Sequence, residues 1–193
     1  MDRVTNFLFE VGMLKRTPRS GWNFLPGAEG ESVADHSFRM TVIAWTLARL
    51  NPEVNPDRVI EMALFHDLPE TRTGDLNYVH QKYVKVDEAG AARHQTDGLP
   101  FGAELHSLIS EYQEGATPEA IVAHDADQLE MLLSLKERLD GGAKAAEEWV
   151  PFVLKRLKTD TAKELAEKIL QSHAHNWWFD QDSDWWVRGG KKR

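Results

Sequence analysis

The chain has 193 residues, 41% of them hydrophobic and 28% charged, with a formal charge of −8 and no cysteine. That length suits one domain with a substantial core, and the missing thiols exclude disulfides and thiolate metal centres, leaving His, Asp and Glu as the possible metal ligands. The acidic balance argues against a nucleic-acid polymer as partner, and the lack of a long apolar run or leader predicts a cytoplasmic protein with no membrane partner.

Val4, Phe7, Leu8, Val11 and Leu14 predict an amphipathic helix over 4–14. A basic loop, Lys15-Arg16-Thr17-Pro18-Arg19-Ser20-Gly21-Trp22, follows. It reads either as a solvated connector anchored by its Trp or as an anion-binding strap. Arg can match phosphate bidentately, and Trp can stack on a base or sugar. Ser32 and Asp35 form a capping-box pattern ahead of an apolar stripe of Val33, Met40, Ile43, Ala44, Leu47 and Leu50. His36 lies on that stripe in phase, so it is predicted to face the core. Residues 51–56 read as a turn, with Asn55 or Asp57 capping the next helix.

That next helix carries the stretch on which the chain turns. Val59, Met62, Ala63 and His66 share one face, and Asp67 follows at once. Burying such groups unpaired would cost roughly 2–7 kcal/mol for a neutral polar group and more for a charge. A divalent cation removes that cost, because imidazole and carboxylate both ligate it. Glu70 lies four residues after His66, while Pro69 disfavours the helical region for Leu68 and marks the helix end. Thr73-Gly74-Asp75 reads as a turn bearing one more carboxylate. An isolated His-Asp pair is more often a capped helix end or a surface ion pair. Four such residues within ten positions, and a second core-facing histidine 30 positions earlier, raise the case for a shared metal site.

The segment 79–97 is polar and weakly periodic, with His80 and His94, and predicts an exposed helix or mobile flap. After Gly98-Leu99-Pro100 a helix over 101–114 ends at Gly115. Thr117-Pro118 starts a long helix that runs to about Leu139 and stops at Gly141-Gly142. Its apolar residues spread widely round it, as in a buried central helix, with His124, Asp125 and Asp127 embedded among them. Spacing leaves the metal-facing acid open: Asp125 lies nearer the leucine stripe, whereas Asp127 shares a face with Ala120, Ala123 and Met131. Helices over 143–158 and 160–179 complete the chain, with Glu164 and Lys168 at the i,i+4 spacing of a solvated face. Trp177, Trp178, Trp185 and Trp186 suggest core sealing or a subunit contact, and 188–193 is predicted to be disordered. With no strand pattern, the fold class is all-α: a compact bundle of seven or eight helices, a single domain over 1–179 and a Trp-containing tail over 180–193.

Four motifs, Pro18-Arg19-Ser20-Gly21-Trp22, Glu31-Ser32-Val33-Ala34-Asp35-His36-Ser37-Phe38-Arg39-Met40, His66-Asp67-Leu68-Pro69-Glu70 with Thr73-Gly74-Asp75-Leu76, and Ala126-Asp127-Gln128-Leu129-Glu130-Met131, occur in this order. Together they resemble the HD-domain superfamily of metal-dependent phosphohydrolases, and within it the HD-domain 5′-deoxynucleotidases. The resemblance covers roughly residues 3–172. It implies that His36, His66, Asp67 and Asp127 hold one divalent ion (Mn, Co, Mg, Ni, Zn or Fe). It also implies that Glu70 is the catalytic acid and that Asp75 positions the sugar and the attacking water. Arg19 would bind phosphate, with Trp22 beside it, although here Ser20-Gly21 separates the two, whereas in some relatives the Trp directly follows the Arg. The implied substrate is a deoxyribonucleoside 5′-monophosphate and the implied assembly a homodimer. The alternatives are an HD phosphohydrolase acting on nucleoside triphosphates or another phosphoester, and a non-catalytic nucleotide- or metal-binding protein. A triphosphate would need more cations than Arg19 and Lys15 or Arg39 supply, and a pure binder has no need of Glu70 and Asp75.

Overall fold

Three helices whose starts are written in local capping chemistry make the centre of the molecule. The computed structural model describes residues 1–25, 30–180, 182, 183 and 185–189. After α1 (Asp2–Val11) comes α2 (Val33–Leu50), which opens where the Ser32 hydroxyl accepts the Asp35 N–H and the Asp35 carboxylate accepts the Ser32 N–H. Helix α3 (Pro56–Phe65) is capped by the Asn55 side chain, which takes the N–H groups of Asp57 and Arg58. Two short helices, α4 (Glu70–Thr73) and α5 (Tyr78–Gln81), precede α6 (Glu88–Thr96) and α7 (Gly102–Glu114), the latter closed by left-handed Gly115. The longest helix, α8 (Pro118–Asp140), starts on Thr117. It packs on both α2 and α3, and α9 (Val150–Arg156) and α10 (Asp160–Gln171) pack on it in turn.

Met40, Leu47, Met62, Leu129, Leu132 and Leu135 are fully buried where these helices meet. Each such side chain contributes about 1.5–3 kcal/mol through removal from water. A second cluster (Phe7, Leu14, Val33, Leu68, Leu105 and Ile109) seats α1 against the start of α2, the turn at Leu68 and α7. Among the described residues there are eight α-helices of seven residues or more and no strand, in agreement with the all-α expectation.

Several boundaries differ from those read in the sequence. The 79–97 segment divides: residues 79–85 are exposed as expected, whereas α6 buries Gly90, Ala92, Gln95 and Thr96 and packs on α7 and α4. The last long helix stops at Gln171 rather than 179, because Ser172 turns extended and the Ala174 N–H donates to Asp140 Oδ2 at 2.8 Å. The 143–158 helix is a 3₁₀ turn (Lys144–Trp149) leading into α9. The tail aromatics do not seal a core: Trp177 is 86% exposed, and Trp178, Phe179 and Trp186 pack mainly on one another beside α11 (Trp185–Arg188). The disorder expected over 188–193 falls largely outside the described residues.

Candidate active site

The end of α3 and the start of α2 bring the two core-facing histidines together, with ring centroids 5.5 Å apart. Helix α3 closes at Phe65, so His66 and Asp67 stand in the tight turn before α4, and Glu70 begins that short helix. His66 Nε2 lies 3.0 Å from Asp67 Oδ2, and His36 Nε2 lies 3.8 Å from the same oxygen. One ligand atom from each of His36, His66 and Asp67 falls within 4.8 Å of the others. Asp127, from α8, approaches through His36, its Oδ1 standing 3.3 Å from Nε2, while Gln128 Nε2 donates to its Oδ2 at 2.9 Å. Asp125 is elsewhere: it is buried and accepts the N–H groups of Lys158 and Thr159 and the Thr159 hydroxyl. It thereby anchors the first turn of α10.

Both histidines turn the same nitrogen, Nε2, towards the Asp67 carboxylate. His66 Nδ1 lies 2.9 Å from the Ala63 carbonyl, and His36 Nδ1 lies 2.8 Å from Glu130 Oε2. With the proton on Nδ1, each Nε2 lone pair is free for a cation. Among the described residues, His36 Nε2, Asp67 Oδ2 and Glu70 Oε2 are buried polar atoms with no hydrogen-bond partner. Orphaned groups of this kind cost about 1–3 kcal/mol each, more where charged. Two inward-facing imidazole nitrogens and two carboxylates fit a divalent cation, which would satisfy them.

Arg19 and Asp75 face this cluster from loops. Gly74 adopts φ +72 and ψ 161, a conformation that only glycine takes readily, and turns the chain towards the loop at residue 20. There the Ser20 N–H donates to Asp75 Oδ2 (3.1 Å) and the Ser20 hydroxyl donates to the Asp75 carbonyl (2.8 Å). Arg19 reaches Asp67 Oδ2 through Nη1 at 3.6 Å and Asp75 Oδ2 through Nε at 3.8 Å. Trp22 departs from the expectation of a ligand-stacking ring. It is 3% exposed, stacks on Trp149, lies under the Arg138 guanidinium and donates its indole N–H to Glu31. The intervening Ser20-Gly21 starts a 3₁₀ turn that withdraws the ring into the core.

The electrostatics separate the acids into two kinds. Burial opposes ionisation of Asp127, but His36 and Arg19 outweigh it and hold this carboxyl well below its ordinary range. Asp67 is likewise lowered, with His66 and His36 prevailing over burial. Glu70 goes the other way: burial, then the charges of Asp67 and Asp75, push it up to about 9. Burial also raises Asp75, against the pull of Arg19. Burial alone would lower His36, yet the carboxylates of Asp127 and Glu130 at its two nitrogens lift it to about 10. The site thus disfavours ionisation of Glu70 and Asp75 and favours that of Asp67 and Asp127, a division of acid and base tendencies.

Sequence reading gave Glu130 and Ser20 no role and weighed Arg39 only as a further cation for a triphosphate. Each lies inside a quoted motif. Glu130 carried a usable signal: a charge on a core helix, three residues after Asp127 and so on the same face.

A bundle with paired His and Asp residues converging between α2, α3 and α8 defines the HD class, and a family model described as an HD domain matches residues 11–170. The chain belongs to the HD-domain family. It is 36% identical to a zebrafish (Danio rerio) protein named 5′-deoxynucleotidase HDDC2, over 71% of this chain and 70% of that one. A conserved hypothetical protein from Pyrococcus furiosus superposes with a TM-score of 0.73 at 30% identity, covering 87% of this chain and 99% of its own. A structure titled predicted metal-dependent phosphohydrolase, from Magnetospirillum magnetotacticum, gives 0.70 at 26% identity, covering 88% and 90%.

Proposed function

We propose that the protein is a metal-dependent 5′-deoxynucleotidase that hydrolyses deoxyribonucleoside 5′-monophosphates to the nucleoside and phosphate. One observation carries this: the orphaned His36 Nε2, Asp67 Oδ2 and Glu70 Oε2 lie in the same site as Arg19, so a cation, a proton donor and a phosphate-binding fork act in one place. His36, His66, Asp67 and Asp127 would hold the divalent ion, which when bound would lower the pKa of a water and polarise the phosphoryl group. Arg19 neutralises the nonbridging oxygens. Glu70, which burial and the charges of Asp67 and Asp75 push up to about 9 in the metal-free chain, donates its proton to the leaving 5′ oxygen. Asp75, held by Ser20, faces the sugar and orders the attacking water.

Charge count favours a monophosphate. Arg39, a candidate for further phosphates, is committed to Glu130 and Glu137, which leaves Arg19 as the principal cation of the site. A cytoplasmic location and a division into one domain (1–179) and a tail (180–193) belong to the same reading. The family match over 11–170 and the cysteine-free composition support it. A homodimer belongs to the same reading, supported by the outer face of α2, which leaves Phe38, Val42 and Trp45 exposed at helical spacing, an apolar stripe that a second copy would cover. Sedimentation tests the dimer. For the activity, phosphate release is measured from deoxy- and ribonucleoside mono- and triphosphates with several divalent metals. Deoxy monophosphates turning over fastest supports the reading, and triphosphates turning over fastest overturns it.

A further inference from the structure

Behind His36, on the side away from Asp127, lies a second layer of buried charge. His36 and Glu130 are both 0% exposed, and Nδ1 of the first stands 2.8 Å from Oε2 of the second. The other Glu130 oxygen accepts from Arg39 through Nε (3.0 Å) and Nη2 (2.7 Å) and from the Ser134 hydroxyl (3.1 Å). Arg39 is itself held by Glu137 through Nη1 at 2.7 Å. A buried carboxylate without a cation would cost several kcal/mol, and Arg39 supplies that cation. Its planar fork also fixes the carboxylate plane in a way a lysine could not.

The arrangement repeats a step on both helices. His36 and Arg39 are three residues apart on α2, and Asp127 and Glu130 are three apart on α8. Each helix therefore offers one side chain to the cation site and, about one turn on, one to the layer behind it. A neutral imidazole can carry its proton on either nitrogen, and a carboxylate on Nδ1 selects the form whose Nε2 lone pair faces Asp67 and Asp127. We infer that Glu130, clamped by Arg39, is the positioning residue that fixes the tautomer and ring plane of His36 for the divalent cation. The inference rests on the reading above that His36 is a ligand. Glu130 acts through His36, on the ring nitrogen opposite the one that faces Asp67 and Asp127.

The test is zinc affinity, measured on the full chain by competition with a chromophoric chelator, for wild type, E130Q, R39Q and the double variant. E130Q should lose on the order of 10–100-fold in affinity, the usual worth of such a partner. R39Q should lose less, and the double variant no more than E130Q alone, because Arg39 acts only through Glu130. In the zinc-loaded wild type, ¹⁵N spectra should report His36 protonated at Nδ1. Wild-type affinity in E130Q, with only the melting temperature lowered, would overturn the inference, and additive losses in the double variant would overturn the clamp. Should E130Q fail to fold, R39Q decides: a measurable affinity loss sustains the inference and an unchanged affinity ends it. A wild type that binds no zinc or other divalent ion would instead overturn the functional reading itself.

Discussion

Asp127 Oδ1 stands 3.3 Å from His36 Nε2, whereas Asp125, two positions earlier on the same helix, is spent on the N–H groups of Lys158 and Thr159. Two residues advance a helix by about 200°, so the two carboxylates face opposite sides of α8. Asp127→Asn should therefore cost most of the metal affinity. Asp125→Asn should leave metal bound but lower stability by about 1–3 kcal/mol, because the amide keeps only one of the two oxygens that accept from Lys158 and Thr159. A metal titration and a thermal melt of each variant check this, and metal loss in Asp125→Asn would show the assignment reversed.

Glu70 separates catalysis from metal binding. Glu70→Ala should keep the metal and lose on the order of 10²–10⁴ in turnover, the ordinary contribution of a positioned acid. Near-normal turnover would remove Glu70 from the reaction.

The raised groups set a pH dependence. A group whose pKa is raised on folding contributes stability that is complete below its ordinary pKa and lost as pH climbs through the folded value. For His36 that window runs from 6.5 to about 10, and for Glu70 from 4.5 to about 9. Asp67 and Asp127 are lowered, so their contribution is present above 3.8 and lost on acidification. The metal-free protein should thus melt at progressively lower temperature from neutral to alkaline pH. Metal must displace the His36 proton, so its affinity should rise over the same range. Melts and titrations across pH check both, and a flat metal-free profile would contradict the first.

Trp22→Phe removes the indole N–H that Glu31 accepts and trims the stack on Trp149. Stability should fall, while KM for a deoxy monophosphate should stay within about 2-fold, since about 1.4 kcal/mol of lost contact would be needed for 10-fold. A large rise in KM would return Trp22 to the substrate.

What the sequence made legible was local. Ser32, Asn55 and Thr117 announce their helices through side chains that cap N–H groups two or three residues on. His36 and His66 declare their faces by phase with their apolar neighbours. What stayed hidden depends on partners far along the chain. Asp125 looks like a ligand on apolar spacing because it is buried, and only residues 158 and 159 explain why. Trp22 beside Arg19 looks like a stacking platform until Trp149 takes its face. Helix α6 reads as exposed because its buried face consists of Gly90, Ala92, Gln95 and Thr96, too small or polar to mark a core.

The most direct test of the central claim compares wild type with His66→Ala for bound metal by elemental analysis and for phosphate release from a deoxyribonucleoside 5′-monophosphate. Wild type should carry a divalent ion and release phosphate, and the variant should lose both together. Full metal content in His66→Ala, or phosphate release by wild type undiminished after the metal is stripped, would contradict the account.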